Sequence, residues 1–362
     1  MTFQPDYHYM LDVLANRRPA RLPIYEHIIS PTIMEQILGT PFAALEAGGA
    51  ADPSTGSGRD LEEFFHHYCR FWPEMTYDTV SYEVCITEIL PGHGAIMGGK
   101  GPIQNRADFE RYPWAELEAR YWALAEPRFD ALRRHLPPGM KALGGVGNGV
   151  LEISEDLVGF ESLAYVQADD PMLFADLYRR IGDLMTGIWQ RFLRQYADLF
   201  AICRFGDDLG FKTSTLVSPR IIRQHIIPQY RRIIDLIHAA DRPFLWHSCG
   251  CIFSVMDDVI ALGIQAKHSN EDGIAAYEQW IERYGDRIGL LGGIDLDILC
   301  VKTPAEVYDI VLERGTNYRR LARGYALGSG NSIPDYTPVD GYLAMIRAAQ
   351  AIRAGELKGT GL

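Results

Sequence analysis

Short apolar runs recur along the chain, and each ends near a polar or acidic residue that is followed by a loop. The runs are RLPIYEH ending near Glu26, TVSYEVCI around Glu83, KALGGVGNG near Asn148, LFAICRFGDDLG at Asp207 and Asp208, RPFLWHSCG at His247 and Cys249, GIQAKHSNED at Asn270 and Glu271, IGLLGGID at Asp295, and GYALGSGN at Asn331. Continuous apolar runs of this length are typical of strands that are buried on both faces of a parallel sheet. The pattern therefore predicts eight strands.

Amphipathic helical patterns separate these runs, and the clearest covers residues 218–240. Ser218 is a suitable helix cap, and Pro219 occupies the first helical position, where a proline is tolerated. Isoleucines then follow at helical spacing, and Pro228 inside the pattern predicts a kink.

A second helix is predicted over residues 303–315, where Thr303 and Glu306 have the spacing of a capping box and Gly315 is the expected end. The segment 44–68 is rich in glycine and serine near its start. We expect it to be a loop between the first two strands, either a mobile lid or docking loop or a plain flexible connection.

Buried strands that alternate with amphipathic helices favour a parallel sheet with helices outside it. Eight such units predict a (β/α)8 TIM barrel, here a single domain over residues 1–362 with an N-terminal extension and loop insertions. A doubly wound open sheet is the alternative fold. The sequence has no G-x-G-x-x-G after an early strand and no P-loop, which weakens the case for a nucleotide-binding sheet.

In a barrel the carboxyl ends of all strands converge on one rim, so the polar residues that end the runs would line one cavity. Catalytic candidates are the carboxylates Glu83, Asp208 and Glu26. Candidate substrate-binding residues are Asn148, Tyr82, Asn331 and Asp295. Asn148 and Asp295 have a plainer interpretation as helix caps.

The stretch FLWHSCGC places His247, Cys249 and Cys251 within five positions. Alternate side chains of a strand face the same way, so His247 and Cys249 are expected to point together. Nitrogen and sulfur donors suit zinc, and Glu271, one strand along, is the predicted third ligand. Two readings remain open: a histidine that hydrogen-bonds substrate beside an inert thiol, and, less favoured by the C-x-C spacing, a redox pair.

Composition narrows the possible partners and the compartment. The formal charge is −12, from 35 basic and 47 acidic residues, which argues against nucleic acid as a partner. Six irregularly spaced cysteines do not form a disulfide framework. Because no apolar run has the length of a membrane span and the first residues lack the apolar core of a signal peptide, we expect no membrane association and a cytoplasmic location.

Four stretches resemble the uroporphyrinogen-decarboxylase-like superfamily, especially its corrinoid-dependent methyltransferase branch. They are FGDDLGFKTSTLVSPRIIRQHIIPQYRRII, FLWHSCG, GLLGGIDLDILCVKTPAEV and GYALGSGNSIPDYTPVDGYLAMI. The resemblance implies a (β/α)8 barrel that pairs as a homodimer. In methyltransferase members the His-x-Cys motif supplies two zinc ligands, here His247 and Cys249.

This sequence departs from the branch at the usual third zinc ligand, a cysteine in the turn after the last strand, which is Asn331 here. Related cobalamin-independent methionine synthases place a glutamate one strand after His-x-Cys, which corresponds to Glu271. The arginine-rich N-terminal motif of true uroporphyrinogen decarboxylases is also missing. A tetrapyrrole with many carboxylates would meet Glu26, Glu83, Asp208 and Glu271, and charge repulsion argues against it.

These features predict methyl transfer between a small O-, N- or S-methyl compound and a corrinoid cofactor on a partner protein, with zinc as a possible second cofactor. The candidate carboxylates would orient substrate or act as a general acid. One alternative is a decarboxylase that acts on a small carboxylate or a porphyrinogen-like substrate. The other is a non-catalytic barrel that only binds a ligand.

Overall fold

The computed structural model describes residues 3–46 and 58–358 of the 362-residue chain. Part of the predicted loop 44–68, residues 47–57, lies outside the described residues. From Gly58 onward the same segment is helical rather than a loop, because it belongs to the helix Gly58–Glu74, which is amphipathic and packs Phe64, Phe65 and Tyr68 as buried residues.

Seven of the eight predicted strands are present in the described residues. They are β1 Val80–Cys85, β2 Ala142–Gly147, β3 Phe200–Gly206, β4 Phe244–His247, β5 Ala266–His268, β6 Gly289–Ile294 and β7 Tyr325–Ser329. They are hydrogen-bonded in chain order, and the β3–β4, β5–β6 and β6–β7 pairs are parallel. A doubly wound sheet reverses its strand order at a switch point, so this uninterrupted order argues against that alternative.

The first predicted strand, RLPIYEH, is reduced to a single parallel bridge between Ile24 and Leu327 of β7. The Tyr25 N–H donates to the Leu327 carbonyl at 2.9 Å, and the Leu327 N–H donates to the Pro23 carbonyl at 3.0 Å. Pro23 has no N–H group to extend the ladder. This predicted strand is therefore an extended segment beside β7 rather than a regular strand.

Helices occupy the intervals between the strands. In the described residues they are α1 His8–Leu14, α2 Pro31–Leu38, α3 Gly58–Glu74, α4 Arg106–Arg111, α5 Trp114–His135, α6 Val150–Val158, α7 Phe160–Asp169, α8 Pro171–Tyr196, α9 Pro219–Ile221, α10 Ile227–Ala239, α11 Met256–Ile260, α12 Tyr277–Tyr284, α13 Leu296–Val301, α14 Pro304–Leu321 and α15 Val339–Lys358. None of the helices has the length and apolarity that a bilayer crossing requires.

The helix predicted over residues 218–240 has the expected cap and an irregularity where the kink was predicted. Ser218 Oγ accepts the Ile221 N–H at 3.3 Å. Residues Ile222–Ile226 form a π-helical turn between α9 and α10, and it ends two residues before Pro228. Proline has no N–H and crowds the carbonyl one turn earlier, so a widened turn accommodates it.

The second predicted helix begins as expected and ends later. Thr303 and Glu306 form the capping box at the start of α14, but the helix continues through Gly315 to Leu321. A Cβ atom at Gly315 would lie 2.5 Å from Leu327 Cδ1 and 2.8 Å from Ile352 Cδ1. The glycine is required for close packing against β7 and α15, and the prediction that it ends the helix is wrong.

The described chain divides into two compact units. Unit 1 comprises residues 1–82, 127–143 and 265–362, and unit 2 comprises residues 83–126 and 144–264. Unit 1 contains β5, β6 and β7, and unit 2 contains β3 and β4. These five strands are fully buried. A single domain over the whole chain stays a prediction.

Candidate functional site

In unit 2 the carboxyl ends of β3 and β4 bring three potential metal ligands together. The strands are parallel with Gly206 opposite His247, so Asp208 and Cys249 follow at the same level of the sheet. Cys249 Sγ lies 3.4 Å from His247 Nε2, and Asp208 Oδ1 lies 3.6 Å from the same nitrogen. The Cys249 N–H also donates to Asp208 Oδ1 at 2.8 Å, which fixes the direction of the carboxylate.

The two residues of the His-x-Cys motif meet for a different reason from the one predicted. Strand β4 ends at His247, so alternation along a strand does not position Cys249. A turn does so, in which Gly250 adopts a φ of 82° and the Cys251 N–H donates to the Phe211 carbonyl at 2.6 Å. A Cβ atom on Gly250 would lie 2.2 Å from the carbonyl carbon of Gly210. Only glycine fits this position.

The donor atoms of Asp208, His247 and Cys249 all lie within 4.8 Å of one another. In a tetrahedral site with Zn–S of about 2.3 Å and Zn–N of about 2.0–2.1 Å, ligand atoms are about 3.4–3.6 Å apart. The observed separations agree with these values. His247 is buried, whereas the Asp208 side chain is 42% exposed, so the three donors face a partly open position.

Asp207, the neighbour of Asp208, has a structural role. Its carboxylate accepts the N–H groups of Leu151 at 3.0 Å and Glu152 at 2.9 Å, which are unpaired donors in the first turn of α6. The Tyr230 hydroxyl donates to it as well. Burial is the main cause that raises the pKa of Asp207 to about 6. Asp207 thus holds α6 in place behind the donor set.

Glu152 on α6 connects the donor set to Asn148. Its Oε1 accepts the Asp208 N–H at 3.2 Å, and its Oε2 accepts from Asn148 Nδ2 at 2.9 Å. Burial, followed by the charges of Asp207 and Asp208, raises the pKa of Glu152 well above its ordinary value.

Asn148 itself has a left-handed backbone, with a φ of 67°. Its Oδ1 accepts from both the N–H and the hydroxyl of Thr87, at 3.1 and 2.9 Å. The structure gives Asn148 a positioning role between β2 and the loop after β1. Its predicted contact with substrate stays a prediction.

Glu83 forms a buried ion pair with Arg204 of β3. The carboxylate accepts from Arg204 Nε at 3.0 Å and from Nη2 at 2.7 Å, and the two side chains are 6% and 0% exposed. The two bonds fix the direction of the carboxylate. A catalytic role for Glu83 stays a prediction.

The remaining predicted residues belong to unit 1. Glu26 is fully buried and accepts the Ser329 N–H at 2.8 Å. Asp295 is a helix cap: one oxygen accepts the Asp297 N–H at 2.9 Å and the other accepts the Asp272 N–H at 2.6 Å. This is the plainer of its two predicted roles, and substrate binding by Asp295 stays a prediction.

Asn331, Tyr82 and Glu271 also lie in unit 1. Asn331 Oδ1 accepts the Ser332 N–H at 2.7 Å. Tyr82 packs against the rings of Phe65 and Tyr68, with centroids 5.0 and 5.6 Å away, so its surroundings in this unit are an aromatic core. Glu271 follows β5, and its carbonyl accepts from the turn at Ile274. A metal-ligand role for Glu271, and substrate contacts for Asn331 and Tyr82, stay predictions.

Three residues of the unit 2 site were not identified from the sequence: Glu152, Glu155 and Arg204. Glu152 and Glu155 lie in the helical stretch GVLEISEDL, where acidic residues at helix positions look like an exposed face. Burial raises the pKa of Glu155 to about 8. Arg204 lies inside an apolar strand, and a charged residue at such a position is the one signal that could have indicated a buried partner.

The family model of uroporphyrinogen decarboxylase (URO-D) matches residues 100–352. Among curated proteins, no match is found.

Among solved structures, the fold is similar to that of a methyltransferase from Methanosarcina mazei, with a TM-score of 0.70 and 16% identity over 95% of this chain and 97% of that chain. A B12-independent methionine synthase from Shewanella sp. W3-18-1 also matches, with a TM-score of 0.41 and 16% identity over 64% of this chain and 67% of that chain. The first likeness shows the fold, and the second is too low to carry an argument. Because the family model covers more than half of the chain, this protein belongs to the uroporphyrinogen decarboxylase (URO-D) family.

Proposed function

We propose that this protein is a zinc-dependent methyltransferase that moves a methyl group between a small O-, N- or S-methyl compound and a corrinoid on a separate protein. The observation that carries the proposal is the donor set of His247, Cys249 and Asp208. Family membership and the similarity in fold to a methyltransferase support it. A closed (β/α)8 barrel, a homodimer and a cytoplasmic location belong to the same proposal.

The donor set fits zinc by its chemistry. One imidazole nitrogen, one thiolate and one carboxylate oxygen are ligands that zinc accepts together, and catalytic zinc sites keep three protein ligands and one open position. When bound, zinc would supply Lewis acidity toward the heteroatom that gains or loses the methyl group. Asp208 has the geometry of the third ligand, and Glu271 remains a predicted ligand that could replace or join it.

The protein groups around the donors have separate parts in the proposed reaction. The Cys249 N–H holds Asp208 Oδ1 toward the imidazole, and Glu152 accepts the Asp208 N–H from the other side. The Glu83–Arg204 pair would orient the substrate at the neighbouring strand ends. These contacts hold the donors in a fixed geometry, which reduces the reorganisation needed during catalysis.

The charges near the donors restrict the substrate class. Glu152, Glu155, Asp207 and Asp208 belong to the same side of unit 2, and Arg204 is already paired with Glu83. Asp207 and Asp208 would repel an anionic substrate, whereas burial keeps Glu152 and Glu155 largely neutral near pH 7. Neutral or cationic methyl compounds, such as alcohols, methoxylated aromatics, thioethers and methylamines, are therefore preferred over a polycarboxylate such as a porphyrinogen.

A methyl-transfer assay tests the function. The protein is mixed with reduced cob(I)alamin and a panel of neutral, cationic and anionic methyl compounds, and conversion to methylcob(III)alamin is followed by absorbance. We expect conversion with at least one neutral or cationic compound and its loss in His247→Ala. Release of carbon dioxide from small carboxylates without methylcobalamin would instead indicate a decarboxylase. Ligand binding that persists in His247→Ala, without turnover in either protein, would indicate a binding protein.

A further inference from the structure

Ser329, the last residue of β7, has a hydroxyl group close to two other oxygen atoms of unit 1. Its Oγ lies 2.5 Å from Glu26 Oε2 and 2.7 Å from the carbonyl oxygen of Asn331. A serine hydroxyl has one hydrogen, and a backbone carbonyl can only accept. Two separate, well-aligned hydrogen bonds form only if Ser329 donates to Asn331 and accepts from Glu26. Glu26 would then carry a hydrogen on Oε2.

The surroundings of Glu26 agree with an uncharged side chain. Its exposed fraction is 0%, and its other oxygen accepts the Ser329 N–H at 2.8 Å. In the described part of the chain, both hydrogen bonds of the Glu26 side chain are to Ser329, and neither is to a lysine or an arginine. Burial raises the pKa of Glu26 to about 8, and the Ser329 N–H, which donates to the other carboxyl oxygen, opposes this only in part. An isolated buried carboxylate is costly, and the neutral acid avoids that cost.

We propose that Glu26 is a neutral carboxylic acid whose O–H group donates to Ser329 and thereby fixes the turn that carries Asn331. In this arrangement the hydrogen bonds run in one direction, from Glu26 to Ser329 and from Ser329 to the Asn331 carbonyl. Loss of the Glu26 proton would turn the Ser329 hydrogen toward the carboxylate and leave the Asn331 carbonyl without that donor. Glu26 is thus a positioning residue, and this role does not depend on the proposed function.

Four other titratable groups lie around this network. The hydroxyls of Tyr77 and Tyr342 are 2.9 Å apart, and burial raises the pKa of both tyrosines well above the ordinary value, so both stay neutral beside Glu26. His27 follows Glu26 in the chain, and His268 Nε2 lies 2.9 Å from the Ser329 carbonyl. A positive charge on either imidazole would favour an ionised Glu26, so the protonation state has to be measured directly.

The first test is the pH dependence of stability in wild type and Glu26→Gln, measured as the midpoint of urea unfolding at pH 5 and pH 8.5. A folded-state pKa raised from 4.5 to about 8 means that stability is fully present below pH 4.5 and is lost as the pH rises through about 8. Glutamine cannot ionise and can donate to Ser329 in the same way. We expect a small difference between the midpoints at pH 5, where little of this stability is lost, and a much higher midpoint for Glu26→Gln at pH 8.5.

Glu356→Gln is the matched control, because Glu356 accepts from Arg319 Nε at 2.6 Å and from the Leu22 N–H at 3.1 Å. We expect this variant to be less stable than wild type at both pH values. If Glu26→Gln behaves in the same way and is less stable than wild type at pH 8.5, Glu26 is an ionised acceptor and the proposal is wrong.

The second test is infrared spectroscopy, which detects the carbonyl stretch of a protonated carboxylic acid. The wild-type minus Glu26→Gln difference spectrum at pH 7 isolates Glu26 from the other buried carboxyl groups. We expect a protonated-acid band in wild type that is lost in the variant and that disappears as the pH is raised through about 8. A carboxylate band in its place at pH 7 would overturn the proposal, whatever the stability data show.

Discussion

Each unit of the molecule contains a buried glutamate close to the end of a strand, but the two have opposite partners. Glu83 in unit 2 faces the guanidinium of Arg204, whereas Glu26 in unit 1 faces the hydroxyl and the N–H of Ser329. Burial alone therefore does not decide what a carboxyl group does. The partner decides it, because a cation compensates a buried charge and a hydroxyl does not. The first site can hold an anion, and the second can hold a neutral acid.

The largest expected effect is a loss of stability in Glu83→Gln, and the same substitution at Glu26 is its comparison. Glu83→Gln removes the carboxylate that pairs with the buried Arg204 charge and should destabilise the protein by about 3–5 kcal/mol. Glu26→Gln at pH 7 should not destabilise the protein, because glutamine can reproduce the hydrogen bonds and has no proton to lose on unfolding. The free energy of unfolding in urea measures both. Equal losses in the two variants would show that the two environments do not differ as described.

A double-mutant cycle sharpens the assignment of the ion pair. Arg204→Met should also be strongly destabilising, because it leaves the buried Glu83 carboxylate uncompensated. In the double variant Glu83→Gln/Arg204→Met no buried charge is left unpaired, so part of the loss should be recovered. We expect a coupling energy of about 0.5–3 kcal/mol from the four unfolding free energies. A coupling energy near zero would mean that the two side chains do not stabilise each other.

The smallest expected effect is a loss of stability on replacing Asp295, which caps α13. Asp295→Ala removes the acceptor for the first turn of α13 and should destabilise the protein by about 0.5–2 kcal/mol, without a change in bound metal. Thermal unfolding and metal content together measure this. A loss of metal in Asp295→Ala would place this residue with the donor set rather than among the caps.

The sequence was sufficient to predict most of the fold because each strand carries its own signal. Seven apolar runs are strands, and both quoted caps, Ser218 and Thr303, are formed. The predictions at RLPIYEH and Gly315 were wrong in part, the first because of a proline inside the run and the second because of packing with distant residues. Pro23 weakens the strand ladder, and Gly315 is required by the packing of Leu327 and Ile352 against α14.

The candidate site was predictable only where the chemistry shows in a short motif. His247 and Cys249 stand two positions apart, and the conclusion that they meet was correct although a turn, not a strand, brings them together. Asp208 was predicted to be a catalytic carboxylate, not a metal ligand. Its closeness to the His247 imidazole depends on the register between β3 and β4. Glu152 and Arg204 gave no local pattern that shows their partners, because each is defined by a contact with a residue more than 50 positions away.

The most direct measurement is the zinc content of purified protein for wild type, Cys249→Ser and Asp208→Asn, with Asp295→Asn as the control. We predict one zinc ion per chain in wild type. In Cys249→Ser and Asp208→Asn we expect zinc affinity to fall by at least about 10–100-fold, because replacing even a residue that only hydrogen-bonds to a metal ligand lowers affinity by that factor. Circular dichroism confirms that each variant is folded. No zinc in wild type after metal loading, or equal zinc in wild type and Cys249→Ser, would contradict the account.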